Sequence, residues 1–189
     1  MDSDGTNKIE SLVLKIREEA RAKHDWHPTY DELVKALFNL ETVWIALSRE
    51  KYNPEKHESE PLISTKDFNG APSLYVFSTK EKAIEWAKWY NAVTPDSKYY
   101  YMGKIDKEPL DFGSLYQIAA YVGAKWVLLD EGGAYMGIVI GDIFAANGID
   151  PRSIKMPVSV EDIDRVKSDP STQFSLKFAP VKVLPIDEA

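Results

Sequence analysis

At 189 residues, with 44 % hydrophobic and 28 % charged side chains, the chain has the make-up of one folded domain and is too apolar for intrinsic disorder. It contains no cysteine, which excludes disulfides, a thiol nucleophile and thiolate metal sites and fits a reducing compartment. Thirty acidic against 23 basic residues leave a net charge of −7, and the basic ones are dispersed among acidic neighbours, as in Arg17-Glu18-Glu19, so nucleic acid is not expected as a partner.

The acidic start, Met1-Asp2-Ser3-Asp4-Gly5, lacks the basic patch and apolar run of a targeting segment. Asn7 is the expected cap of a first helix, with Glu10 at the capping-box offset, and Ile9, Leu12, Val13 and Ile16 recur at helical spacing. Pro28 is expected to close that region and Thr29 to cap a second helix, with Glu32 three residues on. Residues 43–47 read as a strand, 49–60 as a polar loop, and 61–65 and 73–77 as two further strands. Asn69-Gly70 between these strands calls for a turn with positive φ at Gly70.

Ser78 is the expected cap of a helix running to about residue 91, with Glu81 closing the box. A strand over 98–105 follows, then a helix capped by Asp111 and ended by Gly123. That helix is apolar on almost every side and is expected to be the most buried. Residues 125–129 and 135–140 form a hairpin through Asp130-Glu131-Gly132-Gly133, and 142–146 a short helix. Ser159, with Asp162 at N3, opens a last helix before a final strand that ends near residue 183. No stretch approaches the roughly 20 apolar residues of a membrane span, so the expected location is cytoplasmic, with no membrane partner.

Residues 61–86 carry a family pattern: a turn ending in Gly70, a strand ending in Phe77, a hydroxyl at Ser78, then Ala83 and Trp86 on the helix. This resembles the amino-terminal domain of the bacterial SseB-like family, named for enhanced serine sensitivity. Residues 43–47 and 113–133 resemble its preceding strand and later helix-strand unit, so the likeness spans roughly 43–133. It implies an α+β fold and supplies no active-site residues. The chain departs from the family after the later strand, where Asp130-Glu131-Gly132 stands in place of a common Asn-Pro.

The only close histidine pair, His24 and His27, lacks a third ligand nearby and reads as a solvated helix end. Asp130 and Glu131 on a Gly-Gly loop are either a pair of functional acids or a hydrophilic turn. No phosphate loop, dinucleotide fingerprint or nucleophile elbow is present. On the helix after Ser78, 100° steps gather Ala83, Ile84, Trp86, Ala87 and Tyr90 on one arc, while Trp89 falls among Glu81, Lys82, Glu85 and Lys88. Trp89 is then either an exposed anchor for a partner or covered by the long loop or the carboxyl-terminal segment.

The strands are apolar on both faces, which requires helices on both sides of the sheet or leaves one face as an aromatic platform. The expected architecture is a single α+β domain: one mixed β-sheet with helices packed around it and a carboxyl-terminal helix and edge strand appended. The expected function is a non-enzymatic protein-interaction module of the bacterial cytosol, regulatory or adaptor-like, without metal or cofactor. Its interaction candidates are Trp89, Glu85, Lys88, Asp130 and Glu131, and its partner is another protein. The alternative is a small enzyme or small-molecule-binding protein with a pocket at the strand ends.

Overall fold

The computed structural model describes residues 3–64, 70–106, 112–150, 178 and 180–188. The expected helix opened by Ser159, the cap at Asp111 and the first part of the last strand lie outside these residues.

Helix α1 (Ser3–Arg21) begins ahead of the expected cap, so Asn7 is an internal helical position. Its stripe of Ile9, Leu12, Val13 and Ile16 is buried, as the spacing demands. Helix α2 (His27–Phe38) also begins early. Pro28 sits in its first turn, where a missing N–H costs nothing, so proline starts this helix instead of ending the one before. Thr29 is consequently buried inside the helix and does not cap it. Asp25 instead accepts the His27 backbone N–H at 3.1 Å and lies 2.7 Å from His27 Nδ1, which uses the histidine as part of a helix start.

The strands are β1 (Thr42–Ala46), β2 (Glu58–Ser59), β3 (Ile63–Ser64), β4 (Ser73–Phe77) and β5 (Tyr99–Tyr100), then β6 (Met102–Asp106), β7 (Trp126–Leu129) and β8 (Met136–Val139). Two short ones, β9 (Val181–Lys182) and β10 (Leu184–Pro185), follow near the carboxyl terminus. The main sheet is mixed and six-stranded, in the order β6-β1-β4-β7-β8, with β3 also paired to β4. β1 runs antiparallel to β4 and β6, whereas β7 runs parallel to β4 with Val76 opposite Leu129. The described carboxyl-terminal residues add strands in two pieces: β9 pairs with β2 and β10 with β5, each in its own two-stranded sheet. Gly103 in β6 makes room for this, because a Cβ there would stand 2.5 Å from Val181 Cγ1. Gly70 has φ +75°, the left-handed conformation that its place after Asn69 called for.

The remaining helices are α3 (Lys80–Trp89), α4 (Phe112–Tyr121) and α5 (Ile140–Ala146). β4 is buried at all five positions, so both faces of the sheet are covered at its centre. On one face Trp86 of α3 packs on Tyr75 and Phe77. On the other, Leu74, Val76, Val43 and Ile45 share a core with Ile9, Leu33 and Ile143. Helix α4 is not buried all round. Leu115, Tyr116, Ile118 and Ala119 face inward, but Tyr121 and Val122 at its carboxyl end are exposed. Among the described residues, no helix is long and apolar enough to cross a membrane.

Candidate interaction surface

The site grows out of the parallel pairing of β4 and β7. With Val76 beside Leu129, the residues that leave the carboxyl ends of the two strands are neighbours: Ser78, leading into α3, and Asp130, leading into the hairpin loop. Asp130 donates its backbone N–H to Val76 O at 2.9 Å and adopts φ +54°, a conformation Asp tolerates better than most residues. Its carboxylate accepts from Ser78 N and Ser78 Oγ, both at 2.7 Å, and from Lys82 Nζ at 2.9 Å. Lys82 also lies 3.4 Å from Glu10 of α1, so one network joins two helices to the loop.

These contacts correct one expectation. Ser78 does not cap α3: Thr79 does, accepting the Lys82 N–H at 3.2 Å, because Ser78 is committed to Asp130. Asp130, expected as an interaction residue, is 1 % exposed, with its carboxylate bonded inside the chain. It positions the loop that follows.

Glu131 carries out the next anchoring step. It accepts Trp86 Nε1–H at 2.6 Å and the Tyr90 hydroxyl at 3.4 Å, which ties the loop to the middle and the end of α3. Gly132 then takes φ +103°, and a Cβ there would stand 3.5 Å from two carbons of the Trp89 ring. Trp89 thus borders the glycine turn while remaining 73 % exposed, whereas Trp86 is only 6 % exposed. Glu85 and Lys88 are exposed on the same helix. Tyr90, expected on the buried arc, is 45 % exposed, because α3 ends at Trp89 and Tyr90 is already its C-cap. Arg49 secures that end, donating to the carbonyls of Tyr90 at 3.0 Å and Asn91 at 2.6 Å, where a cation also suits the helix dipole.

The result is a chain of aromatic rings from core to surface. Tyr75 and Phe77 meet Trp86, which stacks on Tyr90 at 4.7 Å, and Tyr90 meets Trp89 at 6.1 Å. Where it surfaces, Trp89, Tyr90 and Tyr135 border a cleft of about 320 Å³, with Leu128 and Glu131 also in its wall. Arg17 of α1 holds Tyr135 from outside the cleft, with its guanidinium 5.4 Å from the ring centre and Nη2 2.8 Å from the Tyr135 carbonyl. Tyr135 and Arg17 were not singled out by the sequence, because no periodicity links a loop residue after Gly-Gly to a helix more than a hundred positions away.

A second, more apolar cleft of about 490 Å³ lies between α4 and α5, against Trp126 and Val139. Carboxylates with shifted acidity lie elsewhere. Asp25, Asp96 and Asp106 are held below the usual range, chiefly by hydrogen bonds from His27, Thr94 and Lys104 respectively. Among the described residues, no group of three or more His, Asp or Glu side chains could hold a metal ion.

Comparison with protein-family models, with curated proteins and with solved structures found no match.

Proposed function

We propose that the chain is a non-enzymatic protein-interaction module, regulatory or adaptor-like, that docks a partner protein on the cleft between the end of α3 and the glycine turn. The observation that carries this reading is Trp89, kept 73 % exposed on a helix end immobilised from several directions. Leaving so large an apolar ring in water gains the isolated chain little. An exposed, pre-positioned aromatic is instead the kind of residue that dominates binding energy at protein interfaces. The patch's neighbours tie it down, with Arg49 on the end of α3, Glu131 on Trp86 and Arg17 on Tyr135, which lowers the number of groups that docking must order.

The likeness of residues 43–133 to the SseB-like family supports placing the module in the bacterial cytosol, and the acidic balance supports a protein partner over nucleic acid. The test is affinity capture from native bacterial lysate, comparing the wild-type chain with Trp89→Ala and Tyr121→Ala. Tyr121 is an exposed aromatic that does not line the cleft. A protein retained by wild type and Tyr121→Ala but lost with Trp89→Ala supports the reading, and identical captures by all three oppose it.

A second reading is a small-molecule-binding protein or small enzyme. It is favoured by the position of the same cleft at the carboxyl end of β7 and by its volume, which falls within the range of ligand sites. Saturable stabilisation by a metabolite fraction, lost in Glu131→Gln, would support it.

A further inference from the structure

We infer that the cleft between α4 and α5 is a second binding site, and that it takes a small organic carboxylate with an apolar body. It shares no lining residue with the cleft beside Trp89, so it stands apart from the docking reading above. Its volume of about 490 Å³ falls within the range of small-molecule sites. Ala124, Ile140 and Phe144 line it from the buried core, and the exposed Val139 of β8 carries the apolar lining to the surface.

The two helices face the cleft with small residues, Ala120 on α4 and Gly141 on α5. Small residues between helices ordinarily let the two backbones close up on each other. Here they leave the space open, because a Cβ on Gly141 would meet no neighbouring group within 4 Å. Gly141 is also an ordinary helical position with no positive φ to accommodate, and glycine is a poor helix former. Neither the backbone nor the packing of α5 calls for glycine there. What the missing side chain secures is an open wall.

Charge sets the other end of the ligand. Among the described residues lining the cleft, Lys125 is the only charged one. Its backbone is fixed at the rim, donating its N–H to the Pro72 carbonyl at 2.8 Å and accepting the Ile140 N–H at 3.1 Å. Its ammonium makes no hydrogen bond or ion pair among the described residues. Asp142 of α5 does not line the cleft and accepts the Tyr30 hydroxyl at 2.8 Å instead. A lysine stem lies along apolar surface while its ammonium stays in water. That arrangement suits a ligand with its body in the cleft and its carboxylate at the mouth. A single cation in a chain of net charge −7 favours a monoanion over a polyanion.

The test is a nitrogen-15 NMR titration of the full chain with octanoate and with phenylbutyrate, which distinguish an alkyl from an aryl body, beside the uncharged amide of each. The expected result is a saturable shift of the Ala124, Val139 and Gly141 amides with at least one acid, and binding about three- to five-fold weaker for its amide, the scale of an exposed ion pair. Lys125→Gln is expected to remove the preference for acid over amide. Gly141→Leu, which fills the open space, is expected to abolish the shifts in a protein that melts no lower than wild type, and Ala120→Leu fills the cleft from the α4 side should Gly141→Leu disturb α5. Equal affinity for acid and amide, no saturable shift with either acid, or unchanged binding in a folded filled variant would overturn the inference. Shifts of the same amides on diluting the chain alone would give the cleft to a second copy of the chain and overturn it as well.

Discussion

Trp86 and Trp89 lie one helical turn apart on α3 and provide an internal comparison of burial. Trp89 keeps 73 % of its surface in water, so truncation to alanine removes at most about a quarter of the roughly 250 Å² that a fully buried Trp covers, about 60 Å². At about 25 cal/mol per Å² this is about 1.5 kcal/mol, an upper bound because the unfolded chain already covers part of that surface. Alanine also favours the helix by about 0.5 kcal/mol, which leaves a net loss below about 1 kcal/mol. Trp86 is 6 % exposed, packs on Tyr75, Phe77 and Tyr90, and donates to Glu131. Its truncation opens a core cavity and removes a donor from a carboxylate, for an expected loss of about 3–5 kcal/mol. For a chain of this size the two losses correspond to melting shifts of about 2 °C and about 10 °C. Urea denaturation of both variants, read by far-ultraviolet circular dichroism, checks the difference. Equal losses would show that Trp89 is as much a core residue as Trp86 and would refute the reasoning.

Four further outcomes are expected. Asp130→Ala strands the Ser78 N–H and Lys82 and should cost about 2–4 kcal/mol in urea denaturation, with Asp130→Asn milder because it retains an acceptor and tolerates positive φ; a loss near zero for Asp130→Ala would show that the network does not hold the loop. Tyr116→Phe should leave the melting temperature unchanged or raise it, because the buried Tyr116 hydroxyl has no hydrogen-bond partner among the described residues; a clear fall would reveal one. Gly103→Ala should cost about 1–3 kcal/mol by pushing Val181 off β6, and a removal of residues 181–188 should relieve most of that added strain. Asp106 is held below the usual carboxylate range, mainly by the Lys104 hydrogen bond with Thr42 second, so the stability it contributes is present above about pH 4 and lost as pH falls through its lower folded value. Asp106→Asn should therefore flatten the acid limb of a stability–pH profile below about pH 4, and an unchanged limb would contradict that assignment.

The elements of the fold were legible wherever a short-range signal dominates. The positive φ at Gly70, the strands at 43–47 and 73–77, the hairpin across 130–133 and the Gly123 stop each depend on neighbours in sequence, and Gly123 takes φ +101° as its place after the helix requires. Misreadings arose where tertiary partners outbid local ones. Ser78 has the residue type and offset of a cap, but the parallel β4–β7 register brings Asp130 beside it, and Thr79 caps instead. Pro28 stops or starts a helix by the same missing N–H, and nothing local distinguishes the two.

The candidate site was half legible for the same reason. Helical geometry placed Trp89 off the apolar arc but left open whether another segment covers it, and only the packed chain shows it exposed. Tyr135, Arg17 and Arg49 enter through contacts between distant segments, which a single sequence does not encode in any periodic form. Asp130 and Glu131, adjacent and alike, divide their roles because successive loop residues point in different directions. One is buried as an anchor, and the other carries its charge into the cleft wall.

The most direct measurement of the central claim is the dissociation constant of the captured partner protein for the wild-type chain and for Trp89→Ala, by isothermal titration calorimetry at fixed salt. Docking on the cleft predicts that Trp89→Ala weakens binding by at least about thirty-fold, the size of an aromatic anchor's contribution, while its melting temperature stays close to wild type. A dissociation constant that is unchanged within about two-fold in a stably folded Trp89→Ala protein would place the interaction surface elsewhere and contradict the account.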